Sequence, residues 1–117
     1  MPNRIERMTL VHRRVSPLEA DLWIVVQVAH VEVGTTVCGR LTGPTCPGME
    51  TIQIAYPIRM IKRPVGEPEN AVVGRVIIPE PNLWTQAIPF SYEGIVELWQ
   101  DGVPIDSSEF KTSFQLR

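Results

Sequence analysis

Histidine, cysteine and long apolar runs are all scarce in this chain, and each shortage closes off a class of function. Two histidines, His12 and His30, and two cysteines, Cys38 and Cys46, are spread over 117 residues. A structural metal site needs several such ligands at short, regular spacings. None is present, so no metal site is expected. Two cysteines are also too few for a disulfide framework. Cys38 falls mid-strand by pattern and Cys46 near the tip of a turn over 43–48. At about 3.3 Å per strand residue they stand more than about 10 Å apart, beyond the roughly 7 Å that a disulfide spans. Free thiols are expected.

A strong excess of either charge is missing as well. Eleven basic residues against thirteen acidic leave a net charge of −2, and nucleic acid binding needs a clustered basic surface. Arg4, Arg7, Arg13 and Arg14 are diluted by Glu6, Glu19 and Asp21, so no nucleic acid partner is expected. No stretch approaches the roughly 20 apolar residues of a membrane span. The longest apolar segment, 22–31, is interrupted by Gln27 and His30. The start, MPNRIERMTL, lacks the apolar core of a signal peptide, which predicts a cytoplasmic protein without membrane contact. No glycine-rich phosphate loop and no nucleophile elbow occurs. Neither a cofactor site nor a catalytic residue is expected.

Proline is abundant, with eleven residues, and it breaks most candidate helices. No window shows helical spacing of apolar residues. Instead, turn signals recur between runs rich in Val, Ile, Thr and aromatics, which suit a pleated, half-buried surface. The pattern predicts seven strands, over about 5–13, 21–32, 36–42, 50–60, 71–79, 91–99 and 104–115. In the second, Leu22, Ile24, Val26 and Val28 oppose Trp23, Val25, Gln27 and Ala29, so both faces should be covered. In the fourth, Ile52, Ile54, Tyr56, Ile58 and Met60 share a face that should point inward. In the fifth, Val72, Gly74, Val76 and Ile78 do the same. Asp101-Gly102 is the strongest hairpin signal, because both residues tolerate the positive φ of a type I′ turn. It would set Trp99 opposite Pro104 and Leu98 opposite Ile105. The fold class expected is all-β, an immunoglobulin-like sandwich of about seven antiparallel strands, in one domain over 1–117.

The stretch VIIPEPNLWTQAIPFSYEGIVELW, residues 76–99, carries the most information. Pro79 and Pro81 cannot donate to a ladder, so they end the fifth strand. The chain must then cross over an open end of the core. Leu83, Trp84, Pro89 and Tyr92 are read as the structural lid, with Tyr92 as a tyrosine corner whose hydroxyl bonds upstream backbone. A Trp–Tyr platform stacking on a sugar ring is the alternative. Beyond the crossover, Phe90, Tyr92, Val96 and Leu98 alternate inward, which turns Glu93, Ile95, Glu97 and Trp99 outward. An outward Ile–Trp pair rimmed by charge marks a candidate interaction surface. Glu93 and Glu97 are roughly 13 Å apart at four residues' rise. That exceeds the roughly 6.5–9.5 Å of inverting glycosidase carboxylates.

The same stretch resembles a known family. Pro81-x-Leu83-Trp84-Thr85, then Pro89-Phe90-x-Tyr92, then Glu97-Leu98-Trp99-Gln100-Asp101-Gly102 and the closing Phe114-Gln115-Leu116-Arg117 are similar to the immunoglobulin-like sandwich domain of family 2 glycoside hydrolases, the β-galactosidase and β-glucuronidase group. The likeness covers 71–117 in motif and the earlier residues in strand pattern only. Ser91 stands where the family has leucine, and Gln115 where it has glycine. The resemblance implies a domain that packs on neighbouring domains, with the two catalytic carboxylates in a following (β/α)₈ barrel. This chain stops where that barrel would begin, so no catalytic residue carries over.

The expectation is therefore a non-catalytic module with a structural or protein-interaction role, accessory to a carbohydrate-active enzyme. Its expected partners are a homodimer mate or another protein domain. The alternative is a small carbohydrate-binding module that stacks sugars on Trp23, Trp84 or Trp99.

Overall fold

The computed structural model describes residues 3–116; Arg117, the end of the closing motif, lies outside them. Seven strands follow in chain order, β1 (Ile5–Val15), β2 (Glu19–Val28), β3 (Thr35–Thr45), β4 (Ile54–Ile61), β5 (Ala71–Pro79), β6 (Ser91–Gln100) and β7 (Val103–Thr112). No helix occurs among the described residues. Every paired neighbour is antiparallel, in the order β1-β2-β5-β4-β3-β6-β7. Lettered A to G along the chain, this is the ABED and CFG order of an immunoglobulin-type sandwich. Here β4 joins the two halves, pairing with β3 over Ile54–Arg59 and with β5 over Arg59–Ile61.

The ladder folds back on itself. Its two outermost strands, β1 and β7, meet through side chains: Asp106 Oδ2 accepts from the Ile5 backbone N–H at 2.8 Å, and His12 Nε2 bonds Thr112 Oγ1 at 2.9 Å. The shortest extent of the molecule, 19 Å, fits two sheets packed roughly 10 Å apart. Between them lie Leu22, Ile24, Val26 and Val28 of β2, Val76 and Ile78 of β5, Val37 and Leu41 of β3, and Val96 and Leu98 of β6. A second, smaller cluster covers the outer face of β2 and β5, where Val25, Ala71 and Val73 pack with Val11, Trp23 and Ile61. This is why β2 is apolar on both faces.

Three details depart from the sequence pattern. Along β4 only Ile58 is fully covered, while Ile52, outside the strand, is 89% exposed, and Ile54 and Met60 are about half-exposed. β4 changes partner at Arg59, and of this alternating set only Tyr56 and Ile58 reach the main core, so the face meets the core over one stretch and not along its length. Next, β3 runs through Gly43-Pro44-Thr45 instead of turning there, and the reversal falls at Pro47-Gly48, closed by a bridge between Cys46 and Met49. A Cβ on Gly43 would lie 2.7 Å from Tyr92 Cδ2, so this glycine serves the packing of a ring.

The third departure is in the last hairpin. Asp101 and Gly102 take φ of 52° and 79°, as a type I′ turn requires, and Trp99 does sit opposite Pro104. The register then slips, and Leu98 pairs with Asp106 rather than Ile105. Pro104 has no N–H for the ladder, and prolines within sheets favour bulges. The slip places Asp106 where its carboxylate reaches β1.

Candidate functional site

The β5–β6 crossover, residues 80–90, closes one end of the sandwich. Tyr92, the second residue of β6, is 1% exposed, and its hydroxyl accepts from the Asn82 backbone N–H at 2.9 Å. The bond ties the crossover to the strand it leads into. Burial pushes the Tyr92 phenol's pKa up; the Asn82 bond opposes this and Tyr56 adds to it. The ring meets Phe114 edge-on, with centroids 5.3 Å apart and planes at 63°. Leu83 packs against the core, whereas Trp84 and Pro89 are half-buried.

The large ring that fills this end is Phe114, which is wholly buried and also meets His12 edge-on at 5.5 Å. Trp84 touches this arrangement through its backbone N–H, which donates to the Phe114 carbonyl at 2.7 Å. A signal for Phe114 was present, because it continues the inward alternation of Phe110 and Thr112. The prolines around Trp84 make it the conspicuous aromatic of the crossover, but its ring is half-buried and Phe114 is the one wholly enclosed.

The outer face of β4, β3, β6 and β7 holds the residues singled out as an interaction surface. Glu93, Ile95, Glu97 and Trp99 share that face, with Glu93 exposed and the other three half-buried. Across the ladder, Thr42, Arg40, Cys38 and Thr36 of β3 stand beside them, and Lys111, Glu109, Ser107 and Pro104 of β7 flank the other side. Arg59 and Pro57 of β4 extend the rows of Cys38 and Arg40. Trp99 is thus set between Thr36 and Pro104 rather than standing free. Two shallow depressions break the face, one bordered by Arg40, Ile95 and Glu109, the other by Cys38, Pro57 and Arg59.

Cys38 lies near the middle of the face, and its thiol is 3.8 Å from Glu97 Oε1. Partial burial and then the Glu97 carboxylate push its pKa up, with the Trp99 indole opposing the rise. A raised pKa means less thiolate at neutral pH, the reverse of what a nucleophile needs. Cys46 is buried, and both cysteines are free thiols. Among the described residues no group of three His, Cys, Asp or Glu side chains could hold a metal.

All three tryptophans are half-buried. Trp23, on the opposite outer face, carries the Arg13 guanidinium 4.4 Å above its ring centroid, and beside it Arg75 grips Asp21 in a two-pronged ion pair at 2.9 and 2.8 Å. A sugar would have to displace that arginine. A groove between β1 and β7 is bordered by Arg13, Arg14 and Lys111, but Arg13 is taken up by Trp23, and Arg14 lies 3.8 Å from Glu19.

The fold itself recurs in solved structures. The chain aligns over 96% of its length with Bifidobacterium dentium β-glucuronidase complexed with coumarin-3-O-glucuronide, at 16% identity and a TM-score of 0.62. It aligns over 97% with a β-glycosidase from Bacteroides vulgatus (14%, 0.60) and over 96% with a glycosyl hydrolase family 2 member from Bacteroides cellulosilyticus (16%, 0.58). The chain has the fold of a family 2 glycoside hydrolase accessory domain. It spans 18%, 13% and 15% of those three enzymes respectively. At such identities the family 2 likeness is one of fold. The chain matches no protein-family profile and no curated protein.

Proposed function

We propose that this chain is a non-catalytic β-sandwich module with a structural or protein-interaction role, accessory to a carbohydrate-active enzyme. One observation carries the reading. Nearly the whole chain aligns with family 2 glycosidases, yet it accounts for less than a fifth of each aligned enzyme. Fold alone does not bring activity with it, so the site must speak for itself. On the outer face the glutamates have no histidine or activated nucleophile beside them in the ladder, and the pKa of the one thiol there is pushed up by burial and by Glu97, away from what a nucleophile needs. The carbohydrate-binding alternative asks for a tryptophan lying flat and open beside polar groups, and the half-buried tryptophans favour the protein-interaction role.

The test is direct. Purified protein should release no chromophore from aryl β-glucuronides, β-galactosides or β-mannosides above a heat-killed control. Turnover that disappears on a single Glu→Gln change would overturn the non-catalytic reading.

A further inference from the structure

The outer face of the β4-β3-β6-β7 sheet divides by charge along a line between β3 and β6. On the β4–β3 side stand Arg40 and Arg59, both exposed. On the β6–β7 side stand Glu93, Glu97 and Glu109 with one lysine, Lys111. Two arginines against three glutamates and a lysine make a formal +2 facing −2. Cross-strand pairing sets Arg40 beside Ile95 and Arg59 beside Cys38, not beside a carboxylate. Among the described residues none of these six charges forms an ion pair within 4 Å, the pairs present being Arg4–Glu6, Arg14–Glu19 and Arg75–Asp21.

We propose that this face is the interface of a symmetric homodimer. The proposal rests on the reading of the chain as an interaction module and names its partner as a second copy. A two-fold interface must be complementary to itself. A two-fold axis lying in the interface, parallel to the strands and between β3 and β6, lays the basic half of one copy on the acidic half of the other. Each copy then offers what the other lacks. Ile95 and Trp99, half-buried along the dividing line, supply the desolvated centre, and the charges form the rim, the arrangement common to protein interfaces. A foreign partner would need one half of each sign in the mirror arrangement, which a second copy has by symmetry.

Sedimentation equilibrium on charge-reversed variants tests this. At about 0.1 mM protein, a hundredfold above a Kd of about 1 µM, wild type in low salt should show twice the 13.2 kDa monomer mass. Raising the salt to about 0.5 M should move it towards monomer, because rim charges are screened. Arg40→Glu/Arg59→Glu and Glu97→Arg/Glu109→Arg should each be monomeric alone. Mixed in equal amounts they should recover the double mass, which also shows that both are folded. Wild type that stays monomeric in low salt overturns the proposal, as does a mixture that fails to associate or a dimer that persists in either variant alone. A monomeric wild type would leave the accessory-module reading standing, since that reading falls only to the hydrolysis assay.

Discussion

Tyr92 does two jobs whose costs can be separated. Its ring fills space beside Phe114 and over Gly43, while its hydroxyl holds the Asn82 amide. Tyr92→Phe keeps the ring and loses one buried hydrogen bond, so it should cost about 1 kcal/mol at neutral pH in chemical denaturation. The pH dependence carries a second signature. Burial raises the folded-state pKa, so the unfolded phenol loses its proton first, near pH 10. The stability owed to the neutral phenol is complete below that pH and is lost as pH rises through the folded pKa. Above about pH 10, then, wild type should weaken more steeply than Tyr92→Phe. Parallel alkaline limbs would show that the hydroxyl is not held as described.

At the scale of elements, β6 and β7 are joined by more than their turn. Gly94 leaves room for the Phe110 ring opposite, since a Cβ there would lie 2.1 Å from Phe110 Cζ and within 2.6 Å of two other ring atoms. The ring covers bare backbone and helps pin the register on the core side of the hairpin. Gly94→Ala must push Phe110 aside, and overpacking of this kind costs about 1–3 kcal/mol. Truncating the ring as well should recover part of the loss. Thermal melts of Gly94→Ala, Phe110→Ala and the double variant measure the coupling, and additive losses would mean the ring is not held against the glycine. Elsewhere, Pro57 lies where β4 has β3 as its only partner, and Pro79 ends β5. Prolines at such positions discourage a foreign strand from adding.

At the scale of the whole molecule, the sandwich is closed by contacts that are not part of any ladder. The first and last strands of the ladder meet through Asp106 and through His12 with Thr112. Asp106→Ala removes a charged acceptor from the Ile5 amide, worth about 1.5–3 kcal/mol. The expected result is local. Amide exchange should quicken in the first half of β1, while β2 and β5, which carry most of the core, stay protected to the limit of global unfolding. Uniform acceleration across all strands would mean that the closure and the core unfold together.

Strand count, the inward set on β2 and β5, the I′ turn and the corner tyrosine were legible because they are local or periodic. Alternation reports burial wherever one sheet face meets one core, and Asp101-Gly102 announces its own φ. The likeness of residues 71–117 to a glycosidase domain was visible for the same reason, since its prolines and aromatics fall in one continuous stretch. Tertiary structure alone decided what depends on residues far apart in sequence. That β4 divides itself between β3 and β5, and reaches the main core only at Tyr56 and Ile58, follows from where its neighbours lie and not from its own pattern. That Phe114 rather than Trp84 fills the end of the core depends on which ring the closed sandwich admits. The division of the outer face into basic and acidic halves comes from strand order. Arg40 and Arg59 lie more than thirty residues before Glu93 and Glu97 in the chain, and only the placing of β3 beside β6 sets the two groups side by side on one surface.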